Sequence, residues 1–148
     1  MAVPPAAKSR SPWKTLYAMI WLVFVQILIV VPPLASLSQL VYLHIGIGFV
    51  IVAFAHYHQA RIKRMAVPGR IRRIVRVTAN LASAQFFLGI YAFLAVELQW
   101  PLPAPDVLLL LHLVVALSIL SQASSTATAY DMWEEREFER VETPVPKV

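Results

Sequence analysis

Apolar positions along this chain gather into four long runs, Leu16–Leu34, Leu40–His58, Val77–Val96 and Val107–Tyr130. Each has about 19–24 residues, enough at 1.5 Å per residue to cross a hydrocarbon core of about 30 Å. The pattern predicts an all-α membrane protein. Its centre is a four-transmembrane-helix bundle over residues 16–130, preceded by a basic segment 1–15 and followed by an acidic tail 131–148. Pro32 and Pro33, the pair Pro68-Gly69, and Trp100-Pro-Leu-Pro-Ala-Pro105 separate the runs at places where a helix would stop and the chain turn back.

Composition sharpens this picture. Of 148 residues, 59% are apolar and 14% charged, where a soluble domain has roughly 45–50% and about 25%. Together with a mean hydropathy of +0.66, this excludes a disordered chain, a disulfide-stapled secreted fold and an ordinary cytosolic enzyme. The net charge of +5 is explained by where the charges lie. All 13 Lys and Arg residues fall outside the apolar runs and in alternate connections. Lys8, Arg10 and Lys14 precede the first, seven residues from Arg61 to Arg76 separate the second from the third, and Arg136, Arg140 and Lys147 follow the fourth. Positive residues stay inside, so both termini and the middle connection are expected to be cytoplasmic in a multi-pass protein of the cell membrane. The basic balance then reports topology and contact with anionic membrane lipid, and no nucleic acid is expected as a partner. A basic start before an apolar run is also how a signal peptide begins, but Leu34-Ala35-Ser36 is a poor cleavage site and the run is expected to remain as a helix. The tail is expected to extend the last helix along the interface, anchored by Trp133 and Phe138.

The chain has no cysteine, which removes thiolate metal sites and thiol nucleophiles and leaves histidines, carboxylates and hydroxyls. Histidine inside a membrane span is costly unless it ligates or hydrogen-bonds. His44 lies four residues into the second run and His112 five into the fourth, and both runs cross in the same direction. The two imidazoles therefore share a depth, the arrangement of axial ligands on a six-coordinate b-type haem inside a four-helix bundle. Gly48, one turn after His44, would let a porphyrin approach the backbone or let helices pack closely. His58 is 14 residues beyond His44 on nearly the same face, but the matching position beyond His112 is Thr126, so a second bis-histidine site is not expected. His56 and His58 are expected at the interface beside the basic connection. Most of Gln26, Ser118, Ser121, Gln122, Ser124, Ser125, Thr126 and Thr128 are read as helix-joining polar groups. Gln85 and Tyr91 are pocket candidates, while Phe86, Phe87 and Phe93 either fill the bundle or line a haem edge. Glu97 and Asp106, the acidic residues of the outer side, bracket the third connection near the ligand level and are candidate catalytic carboxylates. No internal repeat is evident residue by residue.

His44 in Tyr-Leu-His-Ile-Gly-Ile-Gly, Gln85-Phe-Phe-Leu-Gly89 and Leu-His112-Leu together resemble one half of the haem A synthase family, over roughly Leu16–Tyr130. Full-length members of that family have two four-helix bundles with a histidine near the outer end of the second and fourth helix of each; compact archaeal members have one. The resemblance implies a half-size form with haem b as cofactor and haem O as substrate, its methyl group oxidised to the formyl group of haem A. A single bundle has one site, so pairing two haems implies a homo-oligomer. The chain departs from the family where a glutamate stands one turn before the first histidine, having Leu40 and Val41 there, and Glu97 or Asp106 would have to take over that role. It also has Ile45 where arginine is frequent, and it lacks the outer-loop cysteine pair. Two alternatives remain open: a non-catalytic b-type cytochrome, or membrane subunit of a respiratory electron-transfer complex, and a haem-free bundle whose histidines hydrogen-bond between helices.

Overall fold

The computed structural model describes residues 13–30, 38–100 and 105–142, all of them helical apart from short connections. Four helices follow in order: α1 Trp13–Ile29, α2 Ser38–Lys63, α3 Gly69–Glu97 and α4 Pro105–Glu142. Three of them, α2, α3 and α4, are long and apolar enough to cross a membrane. The 17 residues of α1 make a shorter apolar helix, about 26 Å at 1.5 Å per residue. The rest of the first apolar run, residues 31–37, lies outside the described residues, as does the side chain of Phe138.

Apolar character in α2, α3 and α4 far exceeds what the protein buries within itself. In the most apolar window of each, only 11, 17 and 11% is buried. Large side chains such as Phe49, Phe87, Leu109 and Leu110 are more than half exposed. Inward positions nonetheless recur at helical spacing, as in Leu16, Met19 and Val23 on α1 or Ile119, Ala123 and Thr126 on α4. Neighbouring helices pack in a closed ring, α1 on α2, α2 on α3, α3 on α4 and α4 back on α1, which leaves α2 and α4 diagonally opposite.

The ring exposes a repeat that is too diverged to see in the sequence. Buried positions of α1 recur 59 residues later in α3, as Leu16 and Val75, Met19 and Thr78, Val23 and Ala82. Those of α2 recur 68 residues later in α4, as Ile51 and Ile119, Ala55 and Ala123, His58 and Thr126, Ile62 and Tyr130. His44 and His112 stand at the same offset of 68. What repeats is the inward register, while the residues that occupy it differ.

Toward the α2–α3 connection the bundle is tightly filled. Ala55, Ala79, Ala82 and Ala123 let the helices approach around Met19, Val23, Ile51 and Ile119. Beyond them, Ile62, Val67, Ile71, Val75 and Tyr130 close the end, with Trp133 packed against Tyr130 at a ring separation of 5.4 Å. α4 thus runs unbroken from the apolar bundle into the acidic segment. At the opposite end α3 stops when Gln99 adopts a left-handed conformation (φ 52°), so that the Trp100 N–H can reach the Ala95 carbonyl at 2.8 Å.

Two expectations are corrected here. His56 does lie at the helix surface, its Nε2 at 2.8 Å from Ser83 Oγ on α3, but His58 turns inward and is 2% exposed. Its position on α2 faces the bundle rather than the interface, and the Thr15 backbone of α1 is the polar group facing its ring. Four hydroxyls of α4 expected to join helices bond within their own helix instead. Ser118, Ser124, Thr126 and Thr128 each donate to the carbonyl four residues earlier on α4, and Thr78 does the same on α3.

Candidate functional site

Because α2 and α4 are diagonal, His44 and His112 face each other across the bundle axis. Their ring centroids are 6.1 Å apart and the rings are tilted by 40°. That separation has a chemical meaning. With metal–nitrogen bonds of about 2.0–2.1 Å and a ring radius of about 1.1 Å, two imidazoles on opposite sides of one ion have centroids about 6.2–6.4 Å apart. A direct hydrogen bond between the rings would bring them closer, and none is formed. The Nδ1 atoms of both rings are buried and make no hydrogen bond of good geometry, with the Gln26 backbone facing the His44 ring.

Both rings open into a cavity of about 660 Å³, within the 300–1,000 Å³ range of small-molecule and cofactor pockets. Its walls are apolar, built from all four helices, with Val23, Ile51, Ala82 and Ile119 as its floor above the filled half. Aromatic edges line one side: Phe86 and Phe93 of α3 are in the wall, and pair edge-on with Phe49 and Tyr42 of α2 at 6.0 and 6.1 Å. Phe87 is not a lining residue; it points outward and is 70% exposed. Tyr91 likewise lies on the outer surface of α3, 44% exposed.

Two glycines shape the space. A Cβ on Gly89 would come within 3.0 Å of His112 Cε1, so this position of α3 makes room for the imidazole itself. Gly48 lines the cavity as expected, but a Cβ there would meet Gln26 Nε2 at 3.4 Å and Phe86 at 3.8 Å. A methyl group at Gly48 would thus touch the Gln26 amide and Phe86 at ordinary van der Waals distance.

That amide is the residue the sequence reading left among packing groups. Gln26 Nε2 donates to the main-chain carbonyl of His44 at 2.7 Å, and Gln85 Nε2 donates to the carbonyl of His112 at 2.8 Å. Both side chains line the cavity, and both leave a buried Oε1 with no partner. The sequence signal is partial: Gln26 and Gln85 are the glutamines of the first and third apolar runs, one on each helix that precedes a histidine helix. The carboxylates part company. Glu97 lines the open rim of the cavity at the end of α3, whereas Asp106 is exposed in the first turn of α4, away from the lining, where a negative charge complements the helix dipole.

Among the described residues no group of three or more His, Asp or Glu side chains could hold a metal ion. The donor set is two imidazoles facing each other, which suits an ion whose remaining positions are filled by a macrocycle better than one held by side chains alone. No protein-family model, curated protein or solved structure matches the chain.

Proposed function

We propose that this chain is an integral membrane protein that holds one b-type haem on its bundle axis, with His44 and His112 as axial ligands, and that it serves as an electron-transfer cytochrome. The observation that carries the reading is the 6.1 Å separation of the two imidazoles across an apolar cavity of about 660 Å³. All four helices would span the bilayer, with both termini and the Arg61–Arg76 connection on the cytoplasmic side, as the charge distribution implies. Lipid covers the outward apolar surface and anionic headgroups meet the basic connection.

Bound there, a haem would supply one-electron transfer and the residues would fix its properties. His44 and His112 would hold its iron, and two imidazole ligands would favour the low-spin state. The apolar wall would limit the access of water, and Phe86 and Phe93 would lie against the bound group. Glu97 sets a negative charge at the rim.

A second reading is favoured by that same Glu97. A haem A synthase-type oxidation of haem O needs a carboxylate near the haem, and Glu97 is the one that reaches the cavity wall. One cavity holds one macrocycle, so this reading requires a homo-oligomer, with cofactor and substrate haems in different protomers; as a respiratory-complex subunit the chain would need no such pairing.

Purified full-length protein is expected to give the reduced-minus-oxidised spectrum of low-spin haem, with one haem per chain by pyridine haemochrome. His44→Ala and His112→Ala should each abolish it. Normal haem content in both variants would overturn the assignment. Haem A recovered after co-expression with a haem O producer would select the oxidising reading; haem B alone selects the cytochrome.

A further inference from the structure

We propose that Gln26 and Gln85 are a matched pair of positioning residues, each holding one site histidine at its height on the bundle axis; the proposal rests on His44 and His112 ligating one bound haem. Each amide reaches across a helix interface, from α1 to α2 and from α3 to α4. Each ends on the carbonyl of the histidine itself, at 2.7 and 2.8 Å, rather than on a neighbour in the turn. They stand out from the side-chain bonds to main chain made by Thr78, Ser118, Ser124, Thr126 and Thr128, which close onto the same helix.

The pair is also two-fold related. Gln26 and Gln85 share the offset of 59 that links the buried faces of α1 and α3, as His44 and His112 share the offset of 68 that links α2 and α4. One unit, an amide on the first helix of a hairpin and a histidine on the second, is thus built twice and closed on itself around the cavity.

Holding the main chain at the histidine fixes the rise and rotation of the turn that carries the ring. Ring tilt and ligand bond direction follow from that, and both shape the ligand field of a bound iron. Inside a bilayer no water is available to replace a lost amide–carbonyl bond, so the hold persists without competition.

The test uses the full chain in lipid nanodiscs, titrated with iron protoporphyrin IX. The variants are Gln26→Met, Gln85→Met, their combination, and Gln122→Met as a control on α4 away from the cavity. Each single variant is expected to retain one haem per chain but to shift the ferric low-spin electron paramagnetic resonance signal, and the double variant to bind at least tenfold more weakly. The control should match the wild type. Should a methionine variant lose its helical circular dichroism, Gln26→Asn and Gln85→Asn, which keep the amide but shorten its reach, are expected to give the same shift. Wild-type signals and affinities in the single variants, or an equal shift in the control, overturn the proposal while leaving the haem reading intact. A wild-type protein that takes up no low-spin haem overturns both.

Discussion

The two halves of this bundle are built on one two-fold plan and end in opposite states. At the site end, His44 and His112 face each other over a cavity walled in part by Gly48 and Gly89. Fourteen residues further along the same helices, His58 and Thr126 occupy the matching positions, each 2% exposed, with alanines drawing the helices together around them. Small residues are present in both halves, so their number does not decide which half opens. What decides it is where they point: Ala55, Ala79 and Ala123 sit at helix contacts, whereas Gly89 makes room for an imidazole ring. A histidine in a span is therefore ambiguous until its surroundings are known.

The largest expected contrast comes from removing histidines in each half. His44→Leu should eliminate bound haem, while His58→Leu, which replaces a packed ring by an apolar side chain of similar bulk, should leave haem content and spectrum as in the wild type. Loss of haem in the His58 variant would erase the distinction between the halves. Next comes overpacking. Ala123 is fully buried in the filled half, and Ala123→Leu is expected to destabilise the fold by about 1–3 kcal/mol, read from denaturant unfolding in micelles. A neutral result would mean that the filled half has slack the packing does not indicate.

Gly89→Ala probes the open half more gently. The added methyl would sit 3.0 Å from His112 Cε1, so the ring has to yield by a few tenths of an ångström. Haem affinity is expected to fall several-fold with helical content unchanged. Gly46→Ala, at a position where an added Cβ meets nothing within 4 Å, is the matched control and should bind as the wild type does.

Sequence patterning carried the helix count, the apolar surface and the histidine pair, because these depend on run length and spacing within single helices. Gln26 does join helices, as its amide within an apolar run suggests, but its partner is a main-chain carbonyl 18 residues away on another helix, and a side chain's identity does not say which turn it meets. His58 was misjudged for a related cause. Proximity to Arg61 and Lys63 placed it at an interface, but the inward register of α2 at Ala55, His58 and Ile62 overrides proximity. The hydroxyls of α4 were read as helix joiners because lone polar groups in lipid need partners, and the partner proved to be the helix's own carbonyls. Neither glycine's neighbour, an amide for Gly48 and an imidazole for Gly89, could be read from the chain.

The smallest expected effect separates two carboxylates that the sequence treats alike. Glu97 stands at the cavity rim and Asp106 outside it, both exposed. A negative charge near a haem favours the ferric form, so Glu97→Gln should raise the midpoint potential of the bound haem. The shift is modest because the Glu97 carboxylate is exposed to water, where a pair of unit charges at 4 Å is worth only about 1 kcal/mol. Salt should reduce it further, since exposed charges are screened over about 8 Å at physiological ionic strength. Asp106→Asn should leave the potential where it was and act instead on α4, weakening its first turn by about 0.3–1 kcal/mol through the lost dipole interaction. Redox titration of the two variants at low and high salt reads the difference directly. Equal shifts from both would place Asp106 within electrostatic reach of the site and return it to the candidates; no shift from Glu97→Gln would leave the cavity rim without a charge that the haem can sense.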